Sequence, residues 1–289
     1  MKEYIIQYDS INVYEKKVTE AIFDFRVLPC NDYSQIVAQY KISNSIGADL
    51  FTFKNLFGFE VKRIRTTKSF NEFNFSLHSI VQKSEMEMEN YQFLSKAEEK
   101  EILSSNLFFI DHHLFLQKTP YTYMSAESQG LILKYDDYDG IYFYLIALNK
   151  YVNEILSYEL DITDVKTTAD QSVKLKSGVC QDFTHVFIAM CRYTGIPARY
   201  ISGYLNQGMD FIGNTLMHAW AEAFVPGVGW IGFDPTNNLR VNEHYIKVSH
   251  GADYDDCSPI KGVLQTKGKN KTSYQVKVIS QQSNQSQQQ

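Results

Sequence analysis

The segment Gly178-Val179-Cys180-Gln181-Asp182-Phe183 sets a cysteine at the mouth of a helix, and two strand-like segments behind it carry His218 and Asp234. Phe183, Val186, Phe187, Met190 and Thr194 recur at helical spacing, which predicts one apolar face. Gly195 and Pro197 forbid continuation, so the helix should stop near Thr194. Cys180 then lies in or just before the first turn, where unpaired N–H groups and the helix dipole favour an anionic sulfur. Gly178 permits a tight turn and close approach of a substrate backbone. A cysteine in such a place is ordinarily a small buried hydrophobe, so position alone does not decide for chemistry.

The register of the strands behind it can be argued from the turn. Residues 216–225 alternate, with Met217, Ala219, Ala221, Ala223 and Val225 on one face and His218, Trp220, Glu222 and Phe224 on the other. The small residues of the first face would let a helix pack closely. If Pro226, Gly227 and Val228 form a three-residue loop, Val225 pairs with Gly229 and Trp220 falls opposite Asp234. His218 becomes the diagonal neighbour of Asp234 on the same face, within reach of it. A loop one residue shorter or longer would turn Asp234 to the other face. Cysteine, histidine and aspartate in this order supply a sulfur, a base and a group to orient the base.

Bulk properties narrow the field. A hydrophobic fraction of 44% in 289 residues supports a packed core without disulfides. The four cysteines (Cys30, Cys180, Cys191 and Cys257) form no CxxC pair, so neither a disulfide framework nor a zinc site is expected. The net charge of −5, with no long basic run, argues against nucleic acid and acidic membrane surfaces as partners. No stretch has the length of a signal peptide's apolar core or a membrane span, and the expected location is the cytoplasm. Asp111-His112-His113 is the one alternative metal motif. Adjacent histidines point apart on either a strand or a helix, and no cofactor or metal is expected.

Residues 1–85 read as an all-β antiparallel domain, with strands predicted over 18–27, 36–42, 59–65 and 70–81. Residues 86–139 are a connecting helical and irregular segment, opened by a charged helix at Ser95. A helix over 140–159 (Tyr144, Ala147, Leu148, Tyr151, Ile155) begins the catalytic core, assigned to 140–279. A last strand is expected at 274–279. The Gln-rich end, 280–289, reads as a disordered tail. Its glutamines beside nearby lysines also raise the idea of self-crosslinking.

GVCQDFTHVFIAMCRYTGIPARYISGYL followed by MHAWAEAFVPGVGWIGFDPTNN closely resembles the transglutaminase-like superfamily of bacterial cysteine enzymes, over roughly residues 140–262. The N-terminal β-region resembles, more loosely and through Phe57-Gly58-Phe59, the domain that often precedes this core. The resemblance implies an α+β papain-like core, with Cys180 as nucleophile, His218 as general base and acid, and Asp234 as orienter. It implies structural support from Asp182, Arg199 and Trp220, with Asp182 and Arg199 a candidate ion pair. No acidic calcium loop is evident, so no metal requirement is inferred. The implied activity is thiol-dependent acyl transfer on a peptide or protein amide, hydrolytic as in a cysteine peptidase or amidase. A protein-crosslinking transglutaminase and a binding module that kept the fold without the chemistry are the alternatives. His185 reads as a helix-surface residue, and Tyr204, Asn206 and Phe211 as candidate cleft-lining residues. Substrate identity, the second oxyanion donor and oligomeric state are not legible.

Overall fold

A computed structural model describes residues 1–84, 91–206, 211–213 and 216–281. Alternation in the first seventeen-residue strand, β1 (Lys2–Val18), turns Tyr4, Ile6, Tyr8 and Tyr14 inward. It is followed by β2 (Glu20–Phe25), β3 (Gln35–Asn44), β4 (Leu50–Lys54), β5 (Glu60–Thr66) and β6 (Phe70–Lys83). Aromatic side chains hold the two resulting sheets face to face. Phe23 stacks on Phe73 with ring centroids 4.5 Å apart, and Phe25 on Phe75 at 3.7 Å.

A short helical stretch follows: α1 (Lys96–Ser104), capped by Ser95 and Glu98, then α2 (Asn106–Leu116) and α3 (Ala126–Gln129). It is fastened to the core by the buried Glu99. That carboxylate accepts the Ile141 N–H at 2.8 Å and the Tyr135 hydroxyl at 2.8 Å, at the positive end of the next helix.

The core comprises α4 (Ile141–Ile155), β7 (Ser157–Tyr158), α5 (Ala169–Leu175), β8 (Ser177–Gly178), α6 (Cys180–Tyr193), β9 (Ala198–Leu205), β10 (His218–Val225), β11 (Gly229–Asp234), β12 (Leu239–Arg240), β13 (Tyr245–Gly251) and α7 (Tyr254–Cys257). Its antiparallel sheet runs β12-β11-β10-β9-β13. Ala219, Ala221, Ala223 and Val225 share one apolar cluster with Phe183, Val186, Phe187 and Met190 of α6 and with Tyr144, Leu145 and Leu148 of α4. Small strand residues thus let α6, the helix that starts at Cys180, sit directly on the sheet.

Two expectations change here. Every residue of α6 from Gln181 to Arg192 is buried, so His185 is an interior residue. Its Nε2 accepts the Tyr254 N–H, its ring stacks on Tyr121, and burial followed by the Arg192 charge lowers it to about 3. The apolar pattern of one face gave no sign that the other face is covered by α5, α7 and the aromatic rings around them.

The core also ends sooner than 279. The last strands, β14 (Ile260–Gln265) and β15 (Asn270–Gln281), return to the N-terminal domain, β14 pairing with β2 and β15 with β1. The N-terminal sheets are therefore β15-β1-β6-β3 and β14-β2-β5-β4, each closed by C-terminal chain. Local alternation announces a strand but not its partner, and β1 and β2 each offered an unpaired edge. Ser280 and Gln281 belong to β15, and the remainder of the Gln-rich stretch, 282–289, lies outside the described residues. The domains also share apolar packing: Tyr204, Ile246 and Val248 of the core join the N-terminal cluster. The Tyr204 hydroxyl donates to the Val27 carbonyl, so Tyr204 is an interdomain anchor rather than a cleft wall.

Candidate active site

Cys180 occupies the first position of α6 and is half-buried. What holds it there is the carboxylate of Asp182, which reaches back to accept the Val179 N–H at 2.8 Å. Thr163 donates to the same carboxylate at 2.7 Å and Ser172 at 3.3 Å. Burial raises the Asp182 carboxyl, and these three donors oppose the shift. Gly178 is required by this arrangement: a Cβ there would lie 2.6 Å from the Asp182 side chain. Gly178→Ala is accordingly expected to cost about 1–3 kcal/mol and to loosen the helix start. Urea denaturation measures the first effect, and the rate of thiol alkylation the second.

Arg199 does not pair with Asp182. It lies on β9 opposite Glu222, four rungs from the Gly203–His218 pair and so about 13 Å away along the strand. Its guanidinium donates to Glu222 at 2.6 Å through Nε and lies 4.1 Å from the Trp230 ring centre. Both residues fall close in sequence to the site, but opposite ends of the sheet separate them.

The hairpin has the register that a three-residue loop requires: Val225 pairs with Gly229 and Ala221 with Phe233. His218 and Asp234 consequently meet, Nε2 to Oδ2 at 2.7 Å, both fully buried. An ionised carboxylate can only accept, so Nε2 carries the proton and Nδ1 is left for other work. Asp234 is saturated. Its Oδ2 also takes the Tyr245 hydroxyl and the Asn237 amide at 2.8 Å each, and its Oδ1 takes the backbone N–H groups of Thr236 and Asn237. Asn153 of α4 donates to the carbonyls of Pro235 and Thr236, locking the turn that follows the strand. Burial works against the charge on Asp234, but His218 and these donors outweigh it and hold the carboxyl below its ordinary range.

Burial alone would strip His218 of its proton. The Asp234 charge and hydrogen bond prevail, helped by the Cys180 sulfur, and lift His218 to about 10. The balance favours the protonated ring. Its Nδ1 is buried and has no conventional hydrogen-bond partner among the described residues. Gly213 lies against that edge of the ring so closely that a Cβ would overlap it, its φ of +102° being one that glycine adopts freely. Trp220 is buried beside the pair, 6.3 Å from the His218 ring centre and edge-on to Tyr245 at 5.3 Å.

The structure thus places the His218–Asp234 pair near Cys180, with Trp220 beside His218 and Asp182 under the helix start. Tyr245 and Asn237 were missed. Asn237 carried a signal, since an Asp-Pro-Thr-Asn turn invites side-chain to backbone bonds. Tyr245 arrives from another strand and carried none. Asn206 donates to the Val278 carbonyl and Phe211 packs near Trp220, so neither stands as a demonstrated cleft wall. His112 and His113 each bond a carbonyl of their own helix, at Phe108 and Ile110. Among the described residues no three His, Cys, Asp or Glu side chains converge on a metal position, and no helix is long and apolar enough to cross a membrane.

The family model described as the transglutaminase-like superfamily matches residues 137–235. An uncharacterized protein of Mycobacterium leprae is 37% identical over 128 residues, covering 43% of this chain and 45% of that protein. A protein-glutamine gamma-glutamyltransferase of Pseudomonas aeruginosa is 31% identical over 97 residues, covering 31% of this chain and 14% of the enzyme. The chain thus spans less than half the length of these relatives. The crystal structure of a candidate cysteine protease from Cytophaga hutchinsonii is 22% identical and superposes with a TM-score of 0.79, over 98% of this chain and 92% of that one. The two share a fold along almost their whole length, β-sandwich included.

Proposed function

We propose, from the premise that residues 137–235 are a transglutaminase-like domain, that the chain is a cysteine-dependent acyl-transfer enzyme acting on a peptide or protein amide, with water as acceptor. The observation that carries this reading is the buried 2.7 Å His218–Asp234 contact, which keeps an imidazolium beside a helix-start cysteine.

In this mechanism the Cys180 thiol passes its proton to His218 Nδ1, and the helix terminus places its partial positive charge beside the sulfur. The thiolate attacks the amide carbonyl, and the carbonyl electrons move onto oxygen. Backbone N–H groups at the start of α6, that of Cys180 among them, face the developing oxyanion. As the C–N bond breaks, His218 Nδ1 gives its proton to the leaving nitrogen, which departs as ammonia or an amine. The resulting thioester is opened by water, which passes a proton back to Nδ1 and regenerates the pair with a free carboxylate product. Asp234 stays ionised throughout and fixes the ring. An amine in place of water would give an isopeptide bond, the reaction class in the name of the Pseudomonas relative.

Site-resolved alkylation by iodoacetamide at mildly acidic pH tests the activated pair. The other thiols are poorly disposed to react: burial pushes Cys30 and Cys257 up to about 12 and drives Cys191 up as well. Labelling is expected at Cys180 alone, and lost in His218→Ala. Uniform slow labelling of all four cysteines, indifferent to His218, would instead favour a binding module. With an amide substrate in hand, release of carboxylic acid in the presence of excess dansylcadaverine supports hydrolysis; incorporation of the amine supports crosslinking.

A further inference from the structure

A cleft of about 450 Å³ lies between the β-sandwich and the core sheet, lined on one side by residues 28–33, 37, 40, 54 and 57–60 and on the other by Arg199, Lys247, Val248 and His250. Its size falls in the range of small-molecule sites. We propose that it binds a small aromatic carboxylate, with the anion held by Arg199, Lys247 and His250 and the ring lying against Tyr33, Tyr40 and Phe59. This reading is independent of the chemistry at Cys180.

Charge is the first argument. Glu222 accepts from Arg199 at 2.6 Å and from Lys247 at 2.8 and 2.9 Å, one carboxylate serving two cations in a largely buried place. Asp32 serves its own turn through Oδ1, which accepts the Ser34 N–H and hydroxyl and the Gln35 N–H. Lys83 adds a further buried cation, bonded to Ser34, and its pKa is lowered chiefly by burial. Glu60 pairs with Lys62 at 2.7 Å, and Lys54 stands on the rim. Four cations, with Lys54 at the rim, therefore face three carboxylates among the described residues that line the cleft or bond to its lining side chains. In the buried part of the wall Arg199 and Lys247 share the single charge of Glu222, an excess that an incoming anion would relieve.

Hydrogen-bond bookkeeping is the second. Burial, followed by Lys247 and Arg199, lowers His250 to about 2, so its ring is neutral. Arg199 approaches its Nε2 at 3.4 Å, which makes Nε2 the acceptor and leaves the proton on Nδ1. That Nδ1 is buried with no partner among the described residues. Lys247 keeps a third N–H beyond the two that Glu222 takes. Unused donors on a cationic wall are what a carboxylate needs.

The aromatic wall is the third. Phe59 and Phe57 are fixed edge-on to His250, at 4.7 and 5.8 Å, while Tyr33 stays 85% exposed and Tyr40 47% exposed. The fixed rings lie beside the donors and the bare rings stand at the mouth, a geometry suited to a flat apolar body with its charge directed inward.

Titration of the full chain with 4-fluorobenzoate, followed by fluorine NMR, tests the proposal, with 4-fluorobenzyl alcohol as the uncharged control. Saturable binding with Kd below about 1 mM is expected, and the alcohol should bind at least about tenfold more weakly. Arg199→Met should abolish binding. Because that variant disturbs a buried pair, Lys54→Glu and Tyr33→Ala serve as surface variants whose folding is not in question. Each should weaken the carboxylate about threefold or more, through charge and ring contact respectively. Cys180→Ala should bind like the unaltered chain, which separates this site from the thiol. No saturable binding, equal affinity for the alcohol, or indifference to Lys54→Glu and Tyr33→Ala would overturn it.

Discussion

Asp234→Asn is expected to slow alkylation of Cys180 at mildly acidic pH, and any amide turnover, by about 10³- to 10⁴-fold. The reason is specific to this histidine. It is buried, so without the carboxylate only the weaker contribution of the Cys180 sulfur opposes the desolvation that favours the neutral ring, and His218 tends to lose its proton. An asparagine amide also puts an NH2 in place of one carboxylate oxygen, where it meets either the Tyr245 hydroxyl and Asn237 amide at Oδ2 or the Thr236 and Asn237 N–H groups at Oδ1, all of them donors. A stability loss of about 2–4 kcal/mol should accompany the kinetic effect. Tyr245→Phe removes only one donor and is expected to cost about 1 kcal/mol with little change in alkylation rate. Equal effects from both variants would mean that Asp234 acts as a structural acceptor and not through His218.

The same pair fixes a pH window for stability. His218 rises from 6.5 to about 10 on folding, so its contribution is complete below 6.5 and is lost as pH climbs through about 10. Asp234 falls from 3.8, so its contribution is present above 3.8 and is lost as pH drops below it. The pair is fully stabilising between those two unfolded values. The difference in unfolding free energy between the unaltered chain and His218→Ala should therefore be flat across that interval and shrink on either side.

How much of this could be read in advance depended on the range of the interactions. The hairpin register followed from one turn, Pro226-Gly227-Val228, because strand geometry propagates a local choice over ten residues. The helix start at Cys180 followed from Gly178, Gly195 and Pro197, which are local backbone signals. The strands paired over long range were not legible: nothing in 270–281 says that it lies beside β1 rather than β13. Burial was misjudged for the same reason. His185 looked like a surface residue because the covering rings of Tyr121 and Tyr254 come from segments about sixty-five to seventy residues away. Arg199 was matched with the nearest acid of the motif, Asp182, although its cross-strand partner Glu222 was fixed by the same register argument that placed His218. That miss was avoidable.

Glu222 supplies the second large expected effect. Glu222→Gln should destabilise the protein by about 3–5 kcal/mol, because it leaves Arg199 and Lys247 facing each other in a poorly solvated place with no carboxylate between them. Burial pushes this carboxyl up, but the Lys247 and Arg199 charges outweigh it and hold Glu222 at about 2, against 4.5 when free. A depressed folded value means the stabilisation is present above 4.5 and is lost as pH falls toward 2. Urea midpoints of the unaltered chain and Glu222→Gln should therefore converge in that acid range and stay apart at neutral pH. Replacing the whole cluster with apolar residues, as in Arg199→Met, Glu222→Leu and Lys247→Met together, should cost less than Glu222→Gln alone, since no unpaired charge is left behind. If the triple variant is the worse of the two, the cluster stabilises the fold through its hydrogen bonds rather than through charge balance. Thiol alkylation at Cys180 should be unchanged in the triple variant, because Glu222 lies four rungs along β10 from His218 and makes no contact with Asp234. A fall in Cys180 reactivity there would show that the charges of the cleft reach Cys180 through the strand that carries His218.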